Sequence, residues 1–437
     1  MSEAHLDVLL SEWQRKGPFP LSPRLRELLG PGTHGPGLAA VLGDKLQLTC
    51  GFSGLEVSST SYVGRIEYGP LRVSIDPKIA TTTLTRMLRY VYGLTDLWQP
   101  DLPTSVSVDQ HGLQDILVEL LVRELENLWR GGMPRVSRPR SDRVDAIRGR
   151  IDARALASKG VLIEALIPCT FFERSPDWHL NQVLLAGLRL ARRVCQQPQL
   201  ARRTERMARA LEAGVKEPPV LTHADVTWAR IALTRLTGNA APALELIDLL
   251  LEGSGLAVKG PRELESTAFL FDMNMFYQRF LSRFLREHAE GMRVADEHTI
   301  RGLYRLSTTD ETLKKRRPPA PRPDFALFGR DGSLRMYMDA KYRDLWNKSL
   351  PPSWMYQLTA YALASPNQVS ILLYPTISKA AHEEEIAIHD PVSDKLLGHV
   401  MLRPVDLELL GQLVGSSRNE DRDQCAVIAK RLINCKA

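Results

Sequence analysis

The chain has 437 residues, 44% of them hydrophobic and 25% charged, which predicts two or three globular domains and excludes a largely disordered or fibrous protein. No apolar run is long enough for a membrane-spanning helix, and the N-terminus, MSEAHLDVLLSEWQRKG, lacks the basic and apolar regions of a secretory signal. The five cysteines are few, odd in number and never spaced C-x-x-C, which argues against a disulfide framework or zinc ribbon and for a reduced, cytoplasmic setting.

In chain order, residues 1–40 combine a short amphipathic stretch with GPFPLSP and GPGTHGPG, predicting a capped helix or two and then a Gly/Pro linker. From Asp44 to Ile79 the pattern has period two, and KLQLTC, SYVGRIEYG and PLRVSIDPK read as short antiparallel strands. A small barrel or sandwich within 41–100 is expected. Helical spacing follows at 83–94, 112–129 and 180–195, then in an Arg-rich helix and at 241–252. The apolar run VLIEALIPCTF at 161–171 reads as a strand within this mostly helical region, 101–258.

The last region, 259–437, is mixed α/β. A long helix is expected from Ser266 to His288, with Phe269, Met273, Phe276, Phe280 and Phe284 on one stripe. KKRRPPAPRP at 314–323 reads as a linker. DFALFG and LRMYMDAKY form a hairpin across Arg330-Asp331-Gly332-Ser333. A helix at 353–364, a strand at 369–375 and a closing hairpin around 384–402 complete the expected order.

The net charge of +6 is modest, but its distribution is uneven. Eight arginines lie between Arg130 and Arg154, and seven between Arg189 and Arg209 against the single acid Glu205. Arginine favours bidentate phosphate contact, so Arg148, Arg150, Arg189, Arg192 and Arg193 are candidate DNA-binding residues. A solvated helix face is the plainer alternative.

The residues that carry chemistry are Asp324, Asp339 and Lys341. Asp324 opens the first strand of the hairpin, and period two puts Asp339 and Lys341 on one face of the second. Two carboxylates and one ammonium converge, the set that phosphodiester hydrolysis needs for holding Mg²⁺ and for placing a cation near the attacking water. Charged residues at hairpin edges also serve merely to discourage aggregation. Here, however, the second strand is otherwise apolar, and the next helix carries Gln357 beside Tyr356, Ala360 and Tyr361, expected to face the sheet.

Asp324, Asp339-x-Lys341 and the Gln357 helix resemble the core of PD-(D/E)XK nucleases, in the form found in McrC, the nuclease subunit of the McrBC system that restricts 5-methylcytosine DNA. SYVGRIEYGPLRVSIDPKI (61–79), IRGRID (147–152), PCTFFERSPDWHLNQVL (168–184) and LFDMNMFYQRF (270–280) are similar to McrC blocks in the same order. One departure stands out: the resemblance leads to an acidic residue after Phe276, where this chain has Tyr277. Asp272-Met273-Asn274 is retained and reads as a polar helix start.

The resemblance implies a multi-domain α/β fold: a small N-terminal β-barrel-like element, a mostly helical middle and a C-terminal restriction-endonuclease-like domain. It implies catalysis by Asp324, Asp339, Lys341 and Gln357, with Mg²⁺ at Asp324, Asp339 and the main chain of Ala340. It further implies double-stranded, modified DNA as substrate and a McrB-like AAA+ GTPase ring of six subunits as partner. The N-terminal β element would enter the ring's pore through Arg65, Arg72 and Lys78. No G-x-x-x-x-G-K-[ST] occurs, so nucleotide hydrolysis is assigned to the partner. The competing reading is a non-catalytic adaptor of the motor with a degenerate nuclease fold; a free-standing repair nuclease is disfavoured by the pore-element resemblance.

Overall fold

The computed structural model describes residues 5–23, 25–26, 42–94, 112–158, 166–216, 220–254, 266–305, 318–416 and 418–434. The GPGTHGPG linker, the first half of KKRRPPAPRP and the start of VLIEALIPCTF lie outside the described residues. The chain forms two compact units. One comprises 1–110, 258–266 and 270–437; the other comprises 111–257 and 267–269.

The first unit begins with strands where helices are expected. β1 (Leu6–Ser11) and β2 (Arg15–Phe19) are separated by a tight turn at Glu12-Trp13-Gln14, with Trp13 at φ +58°. Val8 and Leu10 are buried at period two, and β1 pairs in parallel with β6 (Leu71–Asp76) from Leu6↔Leu71 to Ser11↔Asp76. A stretch this short cannot distinguish the two periods from sequence, and the strand wins because β6 offers a partner edge.

β3 (Leu46–Gly51) and β4 (Gly54–Ser59) form a hairpin that β2 extends into a three-stranded sheet. β5 (Tyr62–Tyr68) and β6 form a second hairpin across Gly69, whose φ of +55° suits a residue without a side chain. The β-rich segment is therefore two sheets and not one closed barrel, because β1 and β10 (Ser266–Asp272) occupy both outer edges of β5–β6. Val63, Ile66, Val73 and Ile75 are buried between the sheet and its neighbours. Helix α1 (Thr81–Tyr92) follows and ends at Gly93, which adopts the left-handed conformation.

The second unit is mostly helical. α2 (Leu113–Arg130) is followed by the sheet strands β7 (Val136–Val144) and β8 (Arg150–Ile151), helix α3 (Ala153–Ser158) and β9 (Ile167–Ser175). Then come α4 (His179–Val194), α5 (Pro198–Glu212), α6 (His223–Ile231) and α7 (Ala241–Ser254). α4 and α7 approach closely at Gly187, where a Cβ would lie 2.4 Å from Ile247 Cδ1. Arg203 on α5 pairs with both Glu119 and Glu126 of α2.

The remainder of the first unit carries the largest sheet. α8 spans Met273–His288, seven residues shorter than the expected helix, because residues 266–272 are β10. Phe269, Leu270 and Phe271 are all buried, and a contiguous apolar run fits a buried strand as well as a helix stripe. β11 (Met292–Asp296), β12 (Phe325–Gly329) and β13 (Leu334–Ala340) are antiparallel neighbours. α9 (Pro352–Ala364) crosses over to β14 (Val369–Thr376), parallel to β13 and buried at every residue. β15 (Glu384–His389), β16 (Leu396–Asp406), α10 (Leu407–Leu413) and α11 (Asn419–Ile433) complete the chain. The strand order is β11-β12-β13-β14-β16-β15. The expected hairpin across Arg330–Ser333 is present, turning at Gly332 with φ +78°.

Candidate active site

Asp324 immediately precedes β12, Asp339 lies near the end of β13, and Lys341 follows it. Hairpin register brings all three together. Asp324 Oδ2 accepts the main-chain N–H of Ala340 at 2.8 Å, and Lys341 Nζ lies 2.8 Å from Asp339 Oδ2. Asp339 is 2% exposed. The two carboxyls are in hydrogen-bonding contact; burial, followed by the charge of Asp339, pushes Asp324 up to about 7 despite the opposing Lys341 cation. The acids therefore share charge reluctantly, as two carboxylates do when water is excluded.

Burial works against the Lys341 ammonium, but the charges of Asp339 and Asp324 outweigh it and hold the group above its usual range. Lys341 is thus a fixed cation in this arrangement, not a lysine tuned downward to serve as a base. Among the described residues no cluster of three or more His, Cys, Asp or Glu side chains could hold a metal. The set at hand is two carboxylates with the main chain of Ala340. That suits Mg²⁺, which takes one or two carboxylates and keeps water and substrate oxygens for its other positions.

Supporting contacts come from distant segments. The Lys341 N–H donates to Leu373 O on β14 at 3.0 Å, and the Arg343 N–H donates to Lys341 O at 2.8 Å, closing a tight turn after the strand. Between them, the Tyr342 N–H donates to Asn274 Oδ1 at 3.2 Å, and Asn274 Nδ2 donates to Ser61 Oγ at 2.7 Å. The Asp272 carboxylate caps α8, accepting from the N–H groups of Asn274 and Met275. The retained Asp272-Met273-Asn274 is thus a helix start that also anchors the turn after β13.

Gln357 differs from expectation. It lies on the exposed face of α9, and Leu358, Tyr361 and Ala362 are the residues buried against the sheet. Their 3–4 spacing was the signal that the Tyr356/Gln357 grouping obscured. Tyr361 is an α9 side chain that senses the site: burial, then the Asp339 and Asp324 charges, push its hydroxyl well above the usual tyrosine range. Tyr277 is fully buried, 5.8 Å from the Tyr342 ring, and its hydroxyl has no hydrogen-bond partner.

A cleft of about 790 Å³ is lined by residues 296–303 together with Tyr337 and Ala364. Its link to the site is direct, since the Glu297 N–H donates to Asp324 O at 2.9 Å, and Tyr337 shares a face of β13 with Asp339.

The candidate DNA-binding arginines belong to the second unit. Arg192 and Arg193 are exposed on α4, whereas Arg189 pairs with Glu212 at 2.7 Å. Arg148 and Arg150 lie on an arm built from β7, β8 and β9, where seven consecutive β7 residues, 137–143, are exposed on both faces. Arg148 stacks over the Phe171 ring at 5.6 Å. The candidate partner-binding residues in the first unit are largely committed: Arg65 pairs with Glu67, and Arg72 with Glu67 and Asp7. Lys78 acts on the buried Glu12 carboxyl.

The family model described as McrBC 5-methylcytosine restriction system component matches residues 57–375. The chain belongs to this family. The matched part of this McrBC component contains Asp324, Asp339, Lys341 and Gln357, and both arginine clusters. Its fold is similar to a chain of a refined half-complex from a tetradecameric assembly of Thermococcus gammatolerans McrB AAA+ hexamers with bound McrC. That match has a TM-score of 0.64 at 15% identity, and it covers 97% of this chain and 99% of the other. A second likeness, to a chain of the Thermococcus gammatolerans McrBC complex, has a TM-score of 0.46 at 16% identity over 65% of this chain and 88% of that one. Among curated proteins, none matches this McrBC component.

Proposed function

We propose that this McrBC component is a Mg²⁺-dependent endodeoxyribonuclease subunit of the PD-(D/E)XK type that cuts DNA under the control of an AAA+ GTPase partner and stimulates its hydrolysis. The single observation that carries the reading is the buried Asp324–Asp339–Lys341 set. A protein seldom buries two touching carboxylates for stability, because their mutual repulsion and lost hydration oppose folding.

When bound, the metal supplies Lewis-acid stabilisation of phosphate charge and lowers the pKa of a coordinated water. Asp324 and Asp339 would hold it, and the raised Asp324 carboxyl would have to be ionised to do so. Lys341 keeps its proton and presents positive charge where negative charge accumulates on the phosphoryl oxygens. The turn through Tyr342 to Arg343, pinned by Asn274, fixes the end of β13. The family, together with the likeness to an assembly in which McrC is bound to McrB AAA+ hexamers, supports the AAA+ partner. Membership of a 5-methylcytosine restriction family supports modified DNA as the substrate, which we take to be double-stranded.

Purified chain, partner, GTP, Mg²⁺ and 5-methylcytosine DNA constitute the test. Asp339→Ala and Lys341→Ala are each expected to lower cleavage by at least about 100-fold while partner GTPase stimulation persists. Wild-type cleavage by either variant would remove the catalytic assignment. The buried, uncharged Tyr277 favours one other reading, a non-catalytic adaptor of the motor; that reading requires a wild-type chain that stimulates GTP hydrolysis but never cuts.

A further inference from the structure

A second feature adjoins the carboxylates and has no part in holding a metal. Lys341, Arg343 and Lys348 alternate with two indole rings in a continuous row. Lys341 Nζ lies 5.9 Å from the Trp354 ring centroid, and the Arg343 guanidinium lies 5.9 Å from the same ring on α9. Arg343 is also 5.8 Å from the Trp13 ring, and Lys348 Nζ is 5.7 Å from that ring. The row therefore runs Lys341, Trp354, Arg343, Trp13, Lys348, leading away from the candidate catalytic lysine.

Resting on the nuclease reading, we propose that this row is a DNA subsite: Arg343 and Lys348 bind successive phosphates of the strand that carries the scissile bond, and Trp13 and Trp354 hold those cations in line and stack against its bases.

Three observations support it. Neither Arg343 nor Lys348 forms an ion pair with a carboxylate among the described residues, unlike Arg15, Arg65, Arg72, Arg283, Arg286 and Arg322 of the same unit. Burial, Lys78 and Arg343 together hold the Lys348 ammonium below its usual range, with only Asp344 opposing them, so like charges have been gathered at a cost that an anion would relieve. The enclosed Arg343 Nε and Trp13 Nε1 have no acceptor. Merely pinning the Glu12–Gln14 turn to α9 would need one stacked pair and no surplus of cations. Indole faces and guanidinium groups together are the surface on which single strands stack.

Binding is measured on the 437-residue chain without divalent metal, so that nothing is cut, using a fluorescein-labelled single-stranded oligodeoxynucleotide and its duplex across a salt series. The double variant Arg343→Gln/Lys348→Gln should bind the single strand about 10-fold more weakly, with a log K against log salt slope reduced by about 1.4, or 0.7 per lost phosphate contact. Oligonucleotide should quench tryptophan emission, and Trp354→Leu should remove part of that quenching; Arg343→Lys should restore part of the slope. Melting temperatures of the Gln variants should match wild type. Unchanged affinity and slope, or no binding by the wild-type chain, overturns the proposal. Loss of binding to the AAA+ partner with DNA binding intact overturns it in favour of a protein contact. Cleavage by Asp339→Ala would sink the nuclease reading alone, since these binding measurements need no catalysis.

Discussion

The Tyr342 hydroxyl donates a hydrogen bond to the Glu12 carboxyl at 3.2 Å, joining the turn after β1 to the residue that follows Lys341, 330 positions along the chain. Glu12 is 2% exposed. Burial pushes it up to about 7, against the lowering effects of the Tyr342 hydrogen bond and the Lys78 charge. A carboxyl raised in the folded state binds its proton more tightly there than in the unfolded chain. Its stabilising effect is complete below about 4.5 and is lost as pH rises through 7.

Glu12→Gln should therefore be nearly neutral at pH 5 and stabilising at pH 8.5. The gain is on the order of 3 kcal/mol at most, from a shift of roughly two and a half pKa units. Urea unfolding at the two pH values checks it; an equal effect at both would mean that Glu12 does not titrate between them.

Asp324 should couple metal binding to pH. Its proton must leave before a cation can enter, so Mg²⁺ affinity should rise by up to about 10-fold per pH unit below 7 and level off above it. Mg²⁺ should raise the melting temperature of wild-type protein at pH 8 and leave Asp324→Asn and Asp339→Asn unshifted. Without metal, Asp324→Asn should melt higher than wild type at pH 8, because a like-charge contact is removed. A lower melting point would show that the carboxylate contributes structure instead.

Tyr277→Phe should be neutral or stabilising by up to about 1 kcal/mol, since an unpartnered buried hydroxyl is removed. Tyr277→Glu, which restores the acid expected from the resemblance, should destabilise by several kcal/mol because no cation awaits it in that core. Chemical denaturation of both variants is the measurement, and a well-folded Tyr277→Glu with enhanced cleavage would contradict the buried, apolar assignment.

Phe52 sits fully exposed at the tip of the β3–β4 hairpin, between Gly51 and Gly54. With Arg65 and Arg72 engaged in ion pairs, this tip is the more accessible candidate for motor contact in the β-rich segment. Phe52→Ser should halve or abolish stimulation of the partner's GTPase without lowering the melting temperature. Unaltered stimulation would direct attention to the arm of β7, β8 and β9, where Arg148→Gln/Arg150→Gln should instead flatten the salt dependence of DNA binding by about two contacts.

The hairpin that unites Asp324, Asp339 and Lys341 was legible because every signal is local: period-two alternation, a Gly-containing turn and charged residues ending an apolar strand. Glu12, Ser61 and Asn274 were not. Each reaches the site through pairing between segments far apart in sequence, and nothing near them in the sequence records it. The strand at 266–272 was misread because its apolar run fits both periods, although Asp272, a helix N-cap, marked the true start of α8. Gln357 faces outward because the buried side of its helix is set by the longer 358, 361, 362 stripe and not by the single turn at 356–357.

The sheet β1-β6-β5-β10 takes three strands from before residue 77 and its fourth from 266–272. Residues 111–257 are thus spliced into the middle of another unit's chain. On the ribosome the host must keep an incomplete sheet edge waiting until β10 is made. High contact order makes the host the slow-folding and aggregation-exposed partner. Truncation before residue 266 would leave the β5 edge bare and cannot yield an intact β-rich piece.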